Sequence, residues 1–166
     1  METEASKATE RQYYAAVKTW LEALLQERFA TVYLEISAAR TFSNTLKAQI
    51  DRNRDLIFSF LREAAPDLTG FLKRDGASSR EFIVVEVKNR ALKLDDIYQT
   101  RKYAELFDAR YALLVSTHEI PEEIMRLSKV VFPLLTLPAY KQLTLFRFGD
   151  SGNSVDWFPE DPFAKQ

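Results

Sequence analysis

Two carboxylates and a lysine, Asp67, Glu86 and Lys88, stand at the ends of two apolar runs in this chain. Asp67 follows Pro66 and opens an apolar run, Leu68 to Leu72. A stretch made turn-like by Gly76, Ser78 and Ser79 leads to a second run, Phe82 to Val87, which is β-branched and nearly uninterrupted. This pattern predicts a hairpin whose second strand is buried on both faces. The second run ends in Glu86-Val87-Lys88. Side chains alternate along a strand, so Glu86 and Lys88 share one side and Val87 takes the other. Charges at the end of so apolar a strand are costly to bury unless something pairs with them. A divalent cation held by Asp67 and Glu86, with Lys88 beside it, satisfies all three. The plainer alternative is a capping Asp67 and a Glu86–Lys88 ion pair with no chemistry.

Composition narrows the field. A chain of 166 residues is expected to form one domain. It can bury about 70% of the surface it would expose unfolded. The formal charge of −1 creates no global field toward nucleic acid or membrane, so any basic surface must be local. The absence of cysteine excludes disulfides and thiolate metal sites. Residues 1–12 are polar and lack an apolar signal core, and no apolar stretch reaches the ~18 residues of a membrane span. The expectation is a cytoplasmic protein that does not enter the membrane. His118 is the one histidine, which rules out multi-histidine metal sites; at a strand end it reads as structural. The four glycines cannot make a Walker loop or a dinucleotide fingerprint. Carboxylates, lysines and aromatics remain.

Residues 9–28 predict a helix with a capping box at Thr9–Gln12 and an apolar stripe of Tyr14, Val17, Leu21, Leu24 and Leu25. Glu10 begins the same stripe; the ordinary reading is a first-turn Glu complementing the helix dipole. Thr31 to Ile36 predicts a strand, with Glu35 at its edge or surface. Residues 43–64 predict a helical segment anchored by Leu46, Ile50, Ile57, Phe60 and Leu61, with Arg52, Arg54 and Arg62 on a solvated face. Pro66 stops it, so Asp67 stands at a sharp boundary. Asp95 is the expected N-cap of a helix running to about Ala109, on which Gln99 and Tyr103 share a face with Lys102 beside them. Tyr111 to Ser116 predicts a second buried strand after a helical crossover. Pro121 starts another helix, Gln142 to Phe148 alternates like a half-exposed strand, and the tail at 157–163 reads as a strap pinned by its rings, with a partner-binding patch as the alternative.

The order of these elements, with Pro66-Asp67, then Glu86-Val87-Lys88, resembles the PD-(D/E)XK nuclease superfamily. Gln99 and Tyr103 are similar to the QxxxY motif of its RecB-like exonuclease branch, and Glu10-Arg11-Gln12-Tyr13-Tyr14 resembles the first helix of such domains. The likeness covers about residues 9–117; the inserted segment at 43–64 departs from the minimal core. It implies an α/β fold with a restriction-endonuclease-like mixed central sheet flanked by helices, on which a C-terminal helix, strand and aromatic tail are packed.

The resemblance further implies a Mg²⁺-dependent hydrolase of phosphodiester bonds, with Mn²⁺ as a substitute cation, acting on nucleic acid and first of all DNA, in repair, restriction or defence. Asp67 and Glu86 would supply carboxylates, the Val87 carbonyl a backbone oxygen, and an early Glu the last ligand. Lys88 would orient or deprotonate a water or stabilise charge on the phosphoryl group. Gln99, Lys102 and Tyr103 would contact the nucleic-acid backbone. Three acidic residues on the first helix could complete the site: Glu10, Glu22 and Glu27. At ~100° per residue Glu10 falls within the apolar stripe and the other two on its flanks. The resemblance also favours Glu10, with Glu22 as runner-up. It makes a homodimer possible. The competing expectation is a non-catalytic module on the same scaffold, binding nucleic acid or protein, since a fold does not dictate a function.

Overall fold

The computed structural model describes residues 4–149 and 155–164. In chain order the elements are α1 (Glu4–Gln26), β1 (Thr31–Ile36), α2 (Asn44–Lys47), α3 (Ile57–Phe60), β2 (Leu68–Lys73), β3 (Glu81–Lys88), α4 (Leu94–Phe107), β4 (Tyr111–Ser116), α5 (Glu122–Val130), β5 (Gln142–Phe148) and β6 (Val155–Phe158), with short 3₁₀ turns between. The strands make one sheet in the order β1-β2-β3-β4-β5-β6. β3, β4 and β5 run parallel, and the remaining pairs are antiparallel. The chain is therefore α/β, a six-stranded mixed sheet flanked by helices. Among the described residues no helix is long and apolar enough to cross a membrane.

The apolar runs sort themselves onto two faces because strand side chains alternate. Ile83, Val85 and Val87 of β3 join Tyr14, Val17, Leu21 and Leu25 of α1 in one core. Phe82 and Val84 join Ile97, Tyr103, Ala104 and Phe107 of α4 in the other. Glu86 and Lys88 follow the second parity and so stand on the α4 face. The tail does what its rings suggest: Trp157 lies 4.8 Å from Phe146, and Phe163 4.8 Å from Tyr111.

Some expectations are corrected. α1 begins by Glu4, so Thr9 lies inside the helix rather than at its start. Glu4, Ala5, Lys7 and Ala8 are good helix formers and extend it without any apolar stripe. The stretch 43–64 is not one helix. It breaks into α2, a 3₁₀ turn at Arg52–Arg54, and α3. Asp51, Asn53 and Asp55 cluster there, and such short polar side chains compete for the backbone bonds that a helix needs. Leu46, Ile50, Ile57 and Leu61 still reach the core, but Phe60 is 64% exposed. Arg54 bonds the carbonyls of Glu105 and Leu106 at the end of α4, where a helix leaves acceptors open. Asp95 is exposed; the N–H of Lys93 is taken by Asp96 at 2.7 Å. Strand β5 is interior rather than half-exposed, because β6 covers its outer edge.

Gly70 in β2 sits opposite Leu34 of β1, and a Cβ there would run into the Tyr33 carbonyl oxygen and the Leu34 side chain. Backbone cannot yield as a side-chain tip can. Gly70→Ala should lower stability by about 2–3 kcal/mol, near the top of the usual overpacking range. The readout is a lower urea midpoint at unchanged slope; an unchanged midpoint would show that β1 shifts freely.

Candidate metal and nucleic-acid site

The site is built where β2 begins and β3 ends. Pro66 stops the preceding segment and Asp67 stands just before β2. Its main chain is held from the far side: the Asp67 carbonyl accepts the Ser37 N–H at 2.8 Å. Its carboxylate Oδ2 accepts the Val87 N–H at 2.8 Å, while Glu86 Oε1 accepts the Asp67 N–H at 3.2 Å. Each carboxylate is thus fastened to backbone beside the other. An aspartate oxygen lies at most about 5 Å from its own nitrogen, so the two carboxylates come within roughly 8 Å of each other. In an extended strand the N–H and C=O of one residue leave on the same side, which puts the Val87 carbonyl on the Asp67 side of β3.

Lys88 Nζ lies 3.9 Å from Glu86 Oε2. Glu10 reaches the same place from α1, and Glu10, Asp67, Glu86 and Lys88 are all at least nine-tenths buried. The hydroxyl of Tyr14 bonds Asp67. Gln99 Nε2 donates to the Tyr103 hydroxyl at 3.1 Å. A cleft of about 260 Å³ is lined by Glu10, Tyr14, Asp67, Glu86, Lys88, Gln99 and Tyr103, with Arg11 and Arg40 on its lips. It opens at the carboxyl end of parallel strand β3, where α/β sheets place their ligands.

The electrostatics show what this cluster needs. Glu86 is held well above the ordinary carboxylate range, first by burial and then by the Asp67 charge, with a smaller push from Glu10. Lys88 and the Asp67 N–H pull the other way without prevailing. Tyr14 is raised by burial and by Asp67. Burial and Glu86 push Tyr103 up to about 12, so its hydroxyl keeps its proton. The cluster carries more carboxylate than Lys88 balances. Hard oxygen donors around a deficit of positive charge suit Mg²⁺ or Mn²⁺. Among the described residues no three His, Cys, Asp or Glu side chains already close into a ligand group. Mg²⁺ needs no such cage, since it takes one or two carboxylates and keeps several waters.

Not every expected residue arrives. Lys102 is exposed, its Nζ 4.9 Å over the Tyr103 ring, and it does not line the cleft. It lies about 100° round the helix from Tyr103. Glu22 pairs with Lys18 on the outside of α1, and Glu27 is exposed past its end. His118 is exposed beside Thr117. Tyr14 read as a core residue and its hydroxyl as nothing more; its place four residues after Glu10 was the available signal. Arg11 and Arg40 carried no signal, being ordinary surface arginines in sequence. A larger hollow of about 480 Å³ lies at the other end of β2. Its Arg74 and Arg80 are bonded to Glu81, Tyr111, Asp51 and the Gln49 carbonyl.

The placement of Glu10 leads to a paired test. Glu10→Gln should weaken Mn²⁺ binding by about tenfold, or about 1.4 kcal/mol, and Glu22→Gln should leave it unchanged, both measured by calorimetry. A loss confined to Glu22→Gln would remove Glu10 from the site.

Set against family models, curated proteins and solved structures, the chain matches none of them.

Proposed function

We propose that this chain is a divalent-cation-dependent nuclease of the PD-(D/E)XK kind, hydrolysing phosphodiester bonds in nucleic acid, with DNA as the first substrate to try. The observation that carries this reading is the burial of Glu10, Asp67, Glu86 and Lys88 together at one end of the sheet, with Glu86 raised by that burial first and by the Asp67 charge next. Asp67, Glu86, the Val87 carbonyl and Glu10 are the groups that would hold the cation. When bound, Mg²⁺ or Mn²⁺ lowers the pKa of water and neutralises phosphate charge.

The chain's own residues do the rest. Lys88 presents its ammonium beside Glu86, inside the cleft, where it can orient a water or meet the charge growing on the phosphoryl group. Asp67 and Glu86 keep their orientation because backbone N–H groups hold them, so little reorganisation is needed at reaction. Gln99 and the protonated Tyr103 hydroxyl offer donors to phosphate oxygens from α4. Such contacts position a strand without reading its bases.

The test is cleavage of supercoiled plasmid and of end-labelled oligonucleotides in Mg²⁺, Mn²⁺ and EDTA. Cation-dependent nicking or shortening, absent in EDTA, is the expected result. Folded protein that binds nucleic acid but cuts nothing in either cation would overturn the nuclease reading and leave the binding module in its place.

A further inference from the structure

We propose that Arg11 and Arg40 form a phosphate-binding subsite on the two lips of the cleft, holding the phosphates that flank the scissile one. This rests on the nuclease reading and narrows its substrate to a polynucleotide strand.

The charge layout motivates it. The cleft floor is carboxylate, suited to a cation, while two exposed guanidiniums line its rim from unrelated elements. Arg11 is the residue after Glu10 on α1. Arg40 stands in the turn that follows β1. That turn is fastened to the site itself. Ser37 is fully buried, gives its N–H to the Asp67 carbonyl at 2.8 Å, and gives its hydroxyl to the Pro66 carbonyl. The Ser37 hydroxyl also meets Thr69 at 2.7 Å. The Arg40 N–H then closes the turn on the Ser37 carbonyl at 2.8 Å.

Arg40 adopts φ 65°, the left-handed region. A side chain there costs roughly 1–2 kcal/mol, a strain that glycine avoids. The protein gets little in return: the guanidinium reaches the Glu63 carbonyl at 3.4 Å, in the open. Strained non-glycine residues cluster at ligand sites because the constraint aims the side chain. Here the constraint holds a planar, always-charged donor fork at the cleft, in a turn fastened to the backbone of Asp67 through Ser37. Arginine is the residue suited to phosphate oxygens.

Two guanidiniums from separate elements beside a cation floor suit consecutive phosphodiesters, which supply a phosphate for each. The ligand is therefore a strand continuing on both sides of the cut, rather than a mononucleotide or a phosphomonoester.

The experiment measures binding of fluorescein-labelled oligonucleotides of about 20 nucleotides, single-stranded and duplex, in Ca²⁺ across a salt series. Each lost phosphate contact lowers the slope of log K against log salt by about 0.7 for a single strand or 0.9 for a duplex. Arg40→Gly should bind about tenfold more weakly with its slope reduced by about 1. Arg40→Gly together with Arg11→Gln should lose about 1.4 on the single strand and about 1.8 on the duplex. Arg40→Lys should keep the slope. Glycine removes the strain, so Arg40→Gly should also unfold at a higher temperature, which separates a binding loss from a folding defect. In cleavage assays the Arg40→Gly loss should appear in KM more than in kcat. Wild-type binding with unchanged slopes in the variants would overturn the subsite and leave the nuclease reading standing. Wild-type protein that neither binds nor cuts either oligonucleotide would overturn both.

Discussion

Lys88→Ala is expected to give a folded protein that still binds Mn²⁺ and cleaves at least about 10²–10³-fold more slowly, the range seen when one preorganised charge-stabilising donor is removed. An ammonium is not a metal ligand, so its contribution belongs to the reacting centre and not to cation affinity. Lys88 is 5% exposed, and alanine leaves a hole under α4. Lys88→Met fills most of that volume and should be equally inactive, which separates lost charge from lost packing. The Lys88 charge also holds Glu86 down. Without it Glu86 takes up protons more readily, so Mn²⁺ affinity of the variant should be compared near pH 8, where competition from protons is least. Calorimetry and a plasmid-nicking time course measure the two halves. Full activity in either folded variant would take Lys88 out of the mechanism.

Glu86→Gln should have opposite effects on stability and function. It should lose cation affinity by at least about tenfold, or about 1.4 kcal/mol, together with detectable cleavage. It should also melt a few degrees higher than wild type in EDTA at neutral pH, with roughly 2–4 °C for each kcal/mol in a chain of this length. The folded state raises the Glu86 pKa, by burial first and by Asp67 next. A carboxyl that holds its proton more tightly folded than unfolded makes the protein less stable as pH rises from the ordinary carboxylate range toward the raised value. Glutamine cannot ionise and escapes that loss, so the gap in melting temperature should open with rising pH and close in acid. The same linkage makes cation binding release a proton and tighten with pH over that window. Added Mn²⁺ should stabilise wild type and close the gap from the other side. A variant that melts lower than wild type at neutral pH, or keeps its Mn²⁺ affinity, would show that Glu86 serves the fold as an ion pair with Lys88. A stability gain bought with function is the usual mark of a site residue.

Much of this site can be read along the chain because its chemistry sits where local patterns end. An apolar run closing in Glu86-Val87-Lys88 is a strand whose last inward positions are charged, and alternation alone puts Glu86 and Lys88 on one face. The bounds of β1 and β4, the β2–β3 hairpin and the parallel crossover through α4 follow from the same short-range periodicities. The phase of α1 likewise places Glu10 on the buried stripe. Its starting point is another matter. Polar helix formers upstream of Thr9 set it, and they carry Glu10 out of the first turn and into the body of the helix.

The remainder depends on contacts between residues far apart in sequence. The break of 43–64 is held by partners far along the chain: Arg80 bonds the Gln49 carbonyl and Asp51, and Arg54 bonds the carbonyls that end α4. β5 reads as half-exposed because β6, which covers it, lies beyond a separate stretch of chain. Asp96 rather than Asp95 starts α4 because Arg90, at the end of β3, grips both of its carboxylate oxygens at 2.7 and 2.9 Å. Tyr14, Arg11 and Arg40 gain their roles only when α1 and the turn after β1 close over Asp67. Periodicity fixes which way a side chain points from its own element; only packing decides which other elements it meets there.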